Sequence, residues 1–288
     1  MSDGGALINF GDISKPATVL IEKVSNAVGI LYEPRRIRKK AEAEAAADKI
    51  KAIASVELND IQQRAIDRFV QQETRKQENI ETITAQAAIS LDENARVEEL
   101  EEDWVAHFFK QCDTVSDKEM QSLWSRLLSG EATNPGTFSK RTVDFVASMD
   151  KKDARLFTDF CQYCWFMGDI VPMIFEYQDD IFTKNGINFS SLKHLDSIGL
   201  ISFESTSGYK RVGYGKWKQL LYFGTPVLIE FDKDENNEVQ LGKALLTQAG
   251  QELALICGAQ KNNDFYEYVI ARWYGEGLIM STPITPTS

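Results

Sequence analysis

PRRIRKKAEAEAAADKIKAIASVELNDIQQRAIDRFVQQETRKQENIETITAQAA, residues 34–88, contains no glycine and no proline after Pro34. Drawn as one helix at 1.5 Å per residue it would reach roughly 80 Å, far beyond the helices of an ordinary globular domain. A helix of that length needs partners along its sides, so the stretch points to self-assembly or scaffolding and away from a compact enzyme. It opens on the basic cluster Arg35, Arg36, Arg38, Lys39 and Lys40, with Pro34 tolerated in the first turn. Ile50, Ile53, Leu58, Ile61, Ala65, Phe69, Ile80, Ile83 and Ala87 supply its apolar stripe, which Gln72 and Lys76 interrupt. Such a seam fits an arm anchored on a body and shared with neighbouring protomers better than an isolated two-stranded coil.

The flanks set the arm's limits. Residues 1–14 read as a flexible leader. In 15–32, Leu20, Val24, Val28 and Leu31 fall on one helical face, and Glu33-Pro34 ends that helix because the residue before proline avoids the helical region. Residues 92–168 read as a central helical unit, with Trp104, Phe108, Cys112, Leu123, Leu127 and Leu128 at helical spacing. Ser116-Asp117-Lys118-Glu119 has the form of a capping box, and Ser129-Gly130-Glu131 that of a helix stop. Helices are then expected over 139–147, over 151–167 behind a cap at Asp150, and over 170–182.

The last third changes character. Strands are expected at 201–204, 219–223 and 227–231, the last two joined by Gly224-Thr225 as a hairpin. Thr247 caps a further helix, and 264–274 forms the last one before a disordered tail, 280–288. The order helix, Gly199-Leu200-Ile201, strands, then Leu246-Thr247 with Gly250 resembles winged-helix domains. The fold class is therefore mainly α with a smaller α+β part. It comprises a long N-terminal helical arm (15–91), a central helical unit (92–168) and a C-terminal winged-helix-like module (169–279).

Composition narrows the function. The net charge of -11 argues against a surface devoted to gripping nucleic acid. Charge is uneven, though: residues 35–40 hold five cations, and 92–103 hold seven acids against one arginine. That asymmetry suits solvated helix faces or the meeting of one protomer's basic end with another's acidic segment. Four cysteines, no secretory signal in MSDGGALINFGD and no run of 18 apolar residues point to a reducing cytoplasm or the periphery of the inner membrane.

No catalytic constellation emerges. Cys161-Gln162-Tyr163-Cys164 lacks a second close cysteine pair for a zinc site and lies in an apolar helical run, so its thiols read as buried and inert. Cys112 and Cys257 read as solitary, and His107 and His194 as structural. Neither nucleotide-binding glycine signature occurs. No cofactor, metal or small-molecule substrate is indicated, and the expectation is of a protein that is not an enzyme. The best contact candidate is Tyr209, Lys210, Arg211, Tyr214, Lys216, Trp217 and Lys218, where a wing would fall. Four cations interleaved with three aromatics suit phosphates and bases or a protein partner. Residues 17–40 also pair an apolar helix face with the five cations, which suits an anionic membrane surface. A homo-oligomer with a protein partner leads these readings; DNA regulation and peripheral membrane action stay open.

As a whole the chain resembles an uncharacterised bacterial family, a domain of unknown function, in an arrangement similar to the abortive-infection alpha proteins. The residues carrying the resemblance are Val28-Gly29, Glu33-Pro34 with Arg36, Ala41-Glu42-Ala43-Glu44, Asp103-Trp104, Leu128-Ser129-Gly130-Glu131, Phe138-Ser139-Lys140-Arg141-Thr142, Ile198-Gly199-Leu200-Ile201, and Leu246-Thr247 with Gly250. It implies a setting in bacterial or prophage antiviral defence and carries over no catalytic residue.

Overall fold

The computed structural model describes residues 14–29 and 60–282. The first half of the expected arm, with its five-cation cluster, and the tail from 283 lie outside them. The chain divides into two compact units at Ala147/Ser148.

Among the described residues the first unit has helices only: α1 (Lys15–Val28), α2 (Asp60–Ile89), a 3-10 turn (Val97–Glu99), α3 (Glu102–Cys112), α4 (Lys118–Thr133) and α5 (Lys140–Ala147). Ser14, read from sequence as the end of a flexible leader, caps α1, and Pro16 sits in its first turn, where its missing N–H costs nothing. Leu20 and Val24 are fully buried. The helix ends at Gly29 in the left-handed conformation, not at the expected break Glu33-Pro34, because glycine takes that conformation without a Cβ clash.

Two punctuation signals acted differently from the expectation. Asp117, not Ser116, caps α4, accepting from the Glu119 and Met120 amides; Ser116 is drawn instead to Asn79. Gly130 does not stop α4, which continues to Thr133. Glu131 explains why: its buried carboxylate accepts the amides of Gly136 at 2.6 Å and Phe138 at 2.7 Å. Those two charge-assisted bonds fold the following loop back on the helix and outweigh one glycine's weak helix propensity. The loop in turn receives Trp104, whose indole N–H donates to the Phe138 carbonyl. Trp104, Phe108, Cys112, Leu123, Leu127 and Leu128 are all buried.

In the second unit the elements are α6 (Lys151–Cys161), β1 (Cys164–Phe166), β2 (Ile170–Pro172), α7 (Asp180–Thr183), α8 (Phe189–Ser197), β3 (Ile201–Phe203), β4 (Tyr209–Tyr214), β5 (Trp217–Tyr222), β6 (Thr225–Glu230), β7 (Asn237–Gly242), β8 (Ala244–Leu246), α9 (Gln248–Ala254), α10 (Asn263–Gly275) and β9 (Ile279–Ser281). All strand pairs are antiparallel: a sheet of order β2-β1-β5-β6-β9 and the two-stranded pairs β3-β8 and β4-β7.

The helices expected over 151–167 and 170–182 are corrected here. α6 stops at Cys161, and the apolar run beyond it supplies β1 and β2. A short fully buried strand carries the same continuous apolar run as a buried helix, so periodicity alone cannot separate them. β2 is a sheet edge, and Gln251 covers it: its amide donates to the Ile170 carbonyl at 2.6 Å and accepts the Ile170 N–H. That side chain stands in for a neighbouring strand. β4 and β7 escaped notice because their register shifts twice, between Tyr209 and Lys210 and around Gly213, which breaks the two-residue alternation. The start of the expected tail also forms structure, since Met280 and Ser281 pair with β6.

The expected hairpin is present, with its turn one residue earlier. Tyr222 faces Thr225, so Phe223 and Gly224 are the two loop residues, both at positive φ, 44° and 78°. This two-residue geometry matches the strands' twist and favours Asn-Gly; phenylalanine there carries strain of roughly 1–2 kcal/mol.

The Leu246-Thr247…Gly250 signal acts as a clasp. Thr247 accepts the Gly250 amide and donates to the carbonyls of Gly199 and Leu200. A methyl group at Gly250 would collide with the Leu200 carbonyl. The start of α9 is thus bolted to the end of α8 at a distance only glycine permits.

The unit's core is aromatic. Trp165 stacks on Tyr222 at 4.9 Å and on Tyr266 at 5.7 Å, and meets Trp273 edge-on. Tyr163 meets Phe182 and Phe265 edge-on and donates to the Ile181 carbonyl. Contacts of this kind add about 0.5–1.5 kcal/mol each beyond area burial.

Candidate functional site

Two regions carry the sequence's functional expectations, and each belongs to one unit. In the second unit the cationic-aromatic segment occupies β4 and β5, beginning at Tyr209 and ending short of the strained turn. Its charges are engaged. Arg211 holds Asp169 through two parallel bonds of 2.6 and 2.8 Å, keeping that carboxyl below its ordinary range. Lys210 pairs with Glu238 at 2.9 Å. Lys216 lies between Glu230 and Asp234 and over the Trp217 ring. Lys218 sits 5.2 Å above Tyr214, whose ring stacks on Phe231. Tyr209 is half-buried, and burial raises its hydroxyl's pKa.

Four cations therefore stand among Asp169, Glu230, Asp234 and Glu238. A phosphate would have to displace carboxylates to reach Lys210, Arg211 and Lys216, and the favourable release of counterions shrinks accordingly. Trp217 and Val212, each 60% exposed, are the large apolar side chains this segment leaves to solvent.

In the first unit, α2 has two different halves. From Asn79 onward it is packed, with Ile83 and Ala87 fully buried. Before Lys76 it stands clear: Phe69 is 63% and Val70 56% exposed. Phe69, Ile83 and Ala87 share one helix face, spaced by 14 and four residues. Lys76 marks the change, bonding to Glu73 at 3.0 Å and Asp113 at 3.7 Å. Just beyond it lies a buried amide network that sequence reading missed. Asn79 donates to the Asp113 carbonyl and to Ser116, and Gln121 donates to the Asn79 side-chain oxygen and to the Val115 carbonyl. Its polar atoms satisfy each other in a water-poor place, which fixes the register of α2 against α4. Asn79 falls on the apolar stripe's own face, and that misplacement was the available signal. The cations Arg35, Arg36, Arg38, Lys39 and Lys40 fall outside the described residues.

All four cysteines are buried. Burial pushes the thiols of Cys112 and Cys161 well above their ordinary value, so they stay protonated. Cys257 is not solitary: after burial, its thiol and that of Cys164 are what raise Cys161, while its own Sγ–H donates to the Ala254 carbonyl. Even so, among the described residues no group of three or more His, Cys, Asp or Glu is placed to hold a metal ion. Each histidine ties two helices together: His107 on α3 meets Asp144 on α5 at 2.7 Å, and His194 on α8 meets Asp153 on α6 at 2.6 Å. No described helix is long and apolar enough to cross a membrane.

Comparison with known proteins gives one match. The model of a family described as protein of unknown function, DUF2806, matches residues 63–270. It contains no link to abortive-infection proteins or to bacteria. No curated protein and no solved structure matches the chain. The matched span begins within the exposed half of α2, takes in both units and ends in α10, so the chain belongs to the DUF2806 family of proteins of unknown function.

Proposed function

We propose that this protein is a non-enzymatic, oligomerising interaction protein. Its N-terminal arm joins copies of the chain, and its C-terminal module, read as winged-helix-like from the order α8, β3, strands, β8, α9, presents a surface to a protein partner. The observation that carries the reading is the helix face of α2. The face that buries Ile83 and Ala87 continues outward as exposed Phe69, and Val70 beside it in sequence is exposed as well. Large apolar groups on a helix that has left its own body favour association, at about 25 cal/mol for each Å² removed from water. Engagement of the module's cations by its own carboxylates favours a protein partner over DNA. The antiviral setting implied by the resemblance fits an assembling scaffold and stays part of this proposal, with a cytoplasmic location.

Mass photometry of the full chain tests it. The intact protein is expected as an oligomer, and Phe69→Ser with Val70→Ser together as a smaller species with an unchanged melting temperature. An intact protein that is monomeric at micromolar concentration sinks the reading.

A further inference from the structure

We infer that the second unit binds a small, uncharged, apolar molecule, one or two rings in size, in a cavity beside the β5–β6 turn. The inference goes beyond the assembly reading and departs from the expectation of no small-molecule ligand. The cavity measures about 360 Å³ and lies between β1, the β5–β6 turn, and α9 with the loop after it. Ligand sites begin at roughly 300 Å³, and a cavity of about 150 Å³ already accepts benzene, which sets the occupant's size.

The lining sets its chemistry. Cys161 and Cys164 line one side and Ala254 another, and none of the lining residues carries a charge. An ionised ligand would lose its hydration there without compensation. Phe166, Phe223 and Leu255 also line the cavity, although they are 46%, 41% and 61% exposed. Three of the molecule's exposed large apolar side chains thus gather at one concavity, an arrangement that marks a binding site more often than chance scatter does.

Phe223 supplies the independent observation. It occupies the turn position that asparagine or glycine fills comfortably, at φ 44°, and its ring touches Tyr222 edge-on. A residue kept in a strained conformation while leaving two-fifths of itself in solvent contributes little to folding that glycine would not better. Such strain concentrates at ligand-binding positions. The ring is held at the cavity to cover a ligand.

Indole and naphthalene are suitable neutral probes, titrated calorimetrically against the full chain, with benzoate and benzylamine as charged counterparts. Indole or naphthalene is expected to saturate one site per chain, with at least tenfold weaker binding of both charged probes. Phe223→Gly should weaken neutral-probe binding tenfold or more while melting no lower than the parent, because glycine relieves the turn. Ala254→Phe, which fills the cavity from α9, should abolish binding and decides the matter if Phe223→Gly folds poorly. Absence of saturable binding by both neutral probes overturns the inference, as does binding that survives Ala254→Phe. Equal binding of benzoate removes its chemical basis. None of these outcomes touches oligomeric mass, so the assembly reading is judged separately.

Discussion

The two units solve the problem of holding together in opposite ways. The first unit packs helices around aliphatic and aromatic side chains and pins α2 to α4 with buried amides. In the second, short strands and helices gather around a tyrosine and tryptophan cluster, with hydroxyls satisfied by backbone carbonyls. Every described tyrosine lies in the second unit. At alkaline pH each unit carries a buried thiol, Cys112 in the first and Cys161 in the second, but only the second adds buried tyrosine hydroxyls; one design depends on a few amides where the other spreads polar contacts widely.

Alkaline pH should separate them most. Burial holds the Tyr163 and Tyr222 hydroxyls up to about 12, against about 10 in an unfolded chain. Between those values the unfolded state releases protons that the folded state keeps, so stability falls as pH rises. At 1.36 kcal/mol per pH unit, each tyrosine removes on the order of 2–3 kcal/mol by pH 12. Hydrogen exchange read by mass spectrometry from pH 8 to 11 should show the second unit opening well before the first. Equal loss of protection in both would mean that the aromatic core does not govern the second unit's stability.

Asn79→Ala reverses the comparison. It leaves Gln121 and Ser116 short of a buried partner, a loss of about 1–3 kcal/mol, and it should lower the first unit's stability alone. Denaturant unfolding followed by segment-resolved exchange checks this; an effect on the second unit would contradict the independence of the two cores.

Arg211→Gln has the smallest expected effect. The Arg211–Asp169 pair is partly exposed, so solvent screening limits the loss to about 1 kcal/mol or less. Because Arg211 keeps the Asp169 carboxyl below its ordinary range, the pair contributes above about pH 4 and loses its effect as Asp169 protonates. Thermal melts at pH 7 and pH 3 should show a difference from the parent only at pH 7.

The first unit was the more legible in sequence. Helical spacing identified Trp104, Phe108, Leu123, Leu127 and Leu128 as core because a helix repeats its face every three to four residues over long runs. In the second unit the same reasoning made helices of β1 and β2, where three-residue strands are too short to display a period. The two register shifts within β4 hid its alternation. Among the candidate contacts, sequence reading identified Lys210, Arg211, Lys216 and Lys218 as cations but had no view of Glu238, Asp169, Glu230 and Asp234 arriving to meet them. A turn at Gly224 was legible, read one residue late as Gly224-Thr225, but neither the cavity beside it nor the neighbours of Cys257 were, since both depend on residues far apart in the chain.

By itself the sequence determined the helix faces, the cap at Thr247 and the hairpin near Gly224. These are written within a few residues, in the pattern of apolar side chains and local hydrogen-bonding groups. The tertiary structure alone decided where α4 ends, how the cations of β4 and β5 are engaged, how Asn79 becomes an anchor and why Gly250 has to lack a side chain. Each of those depends on the arrival of a distant partner: the amides of Gly136 and Phe138, the carboxylates around β4 and β5, the amide of Gln121 and the carbonyl of Leu200. A buried polar or close-packed group takes its free energy from whatever stands opposite it.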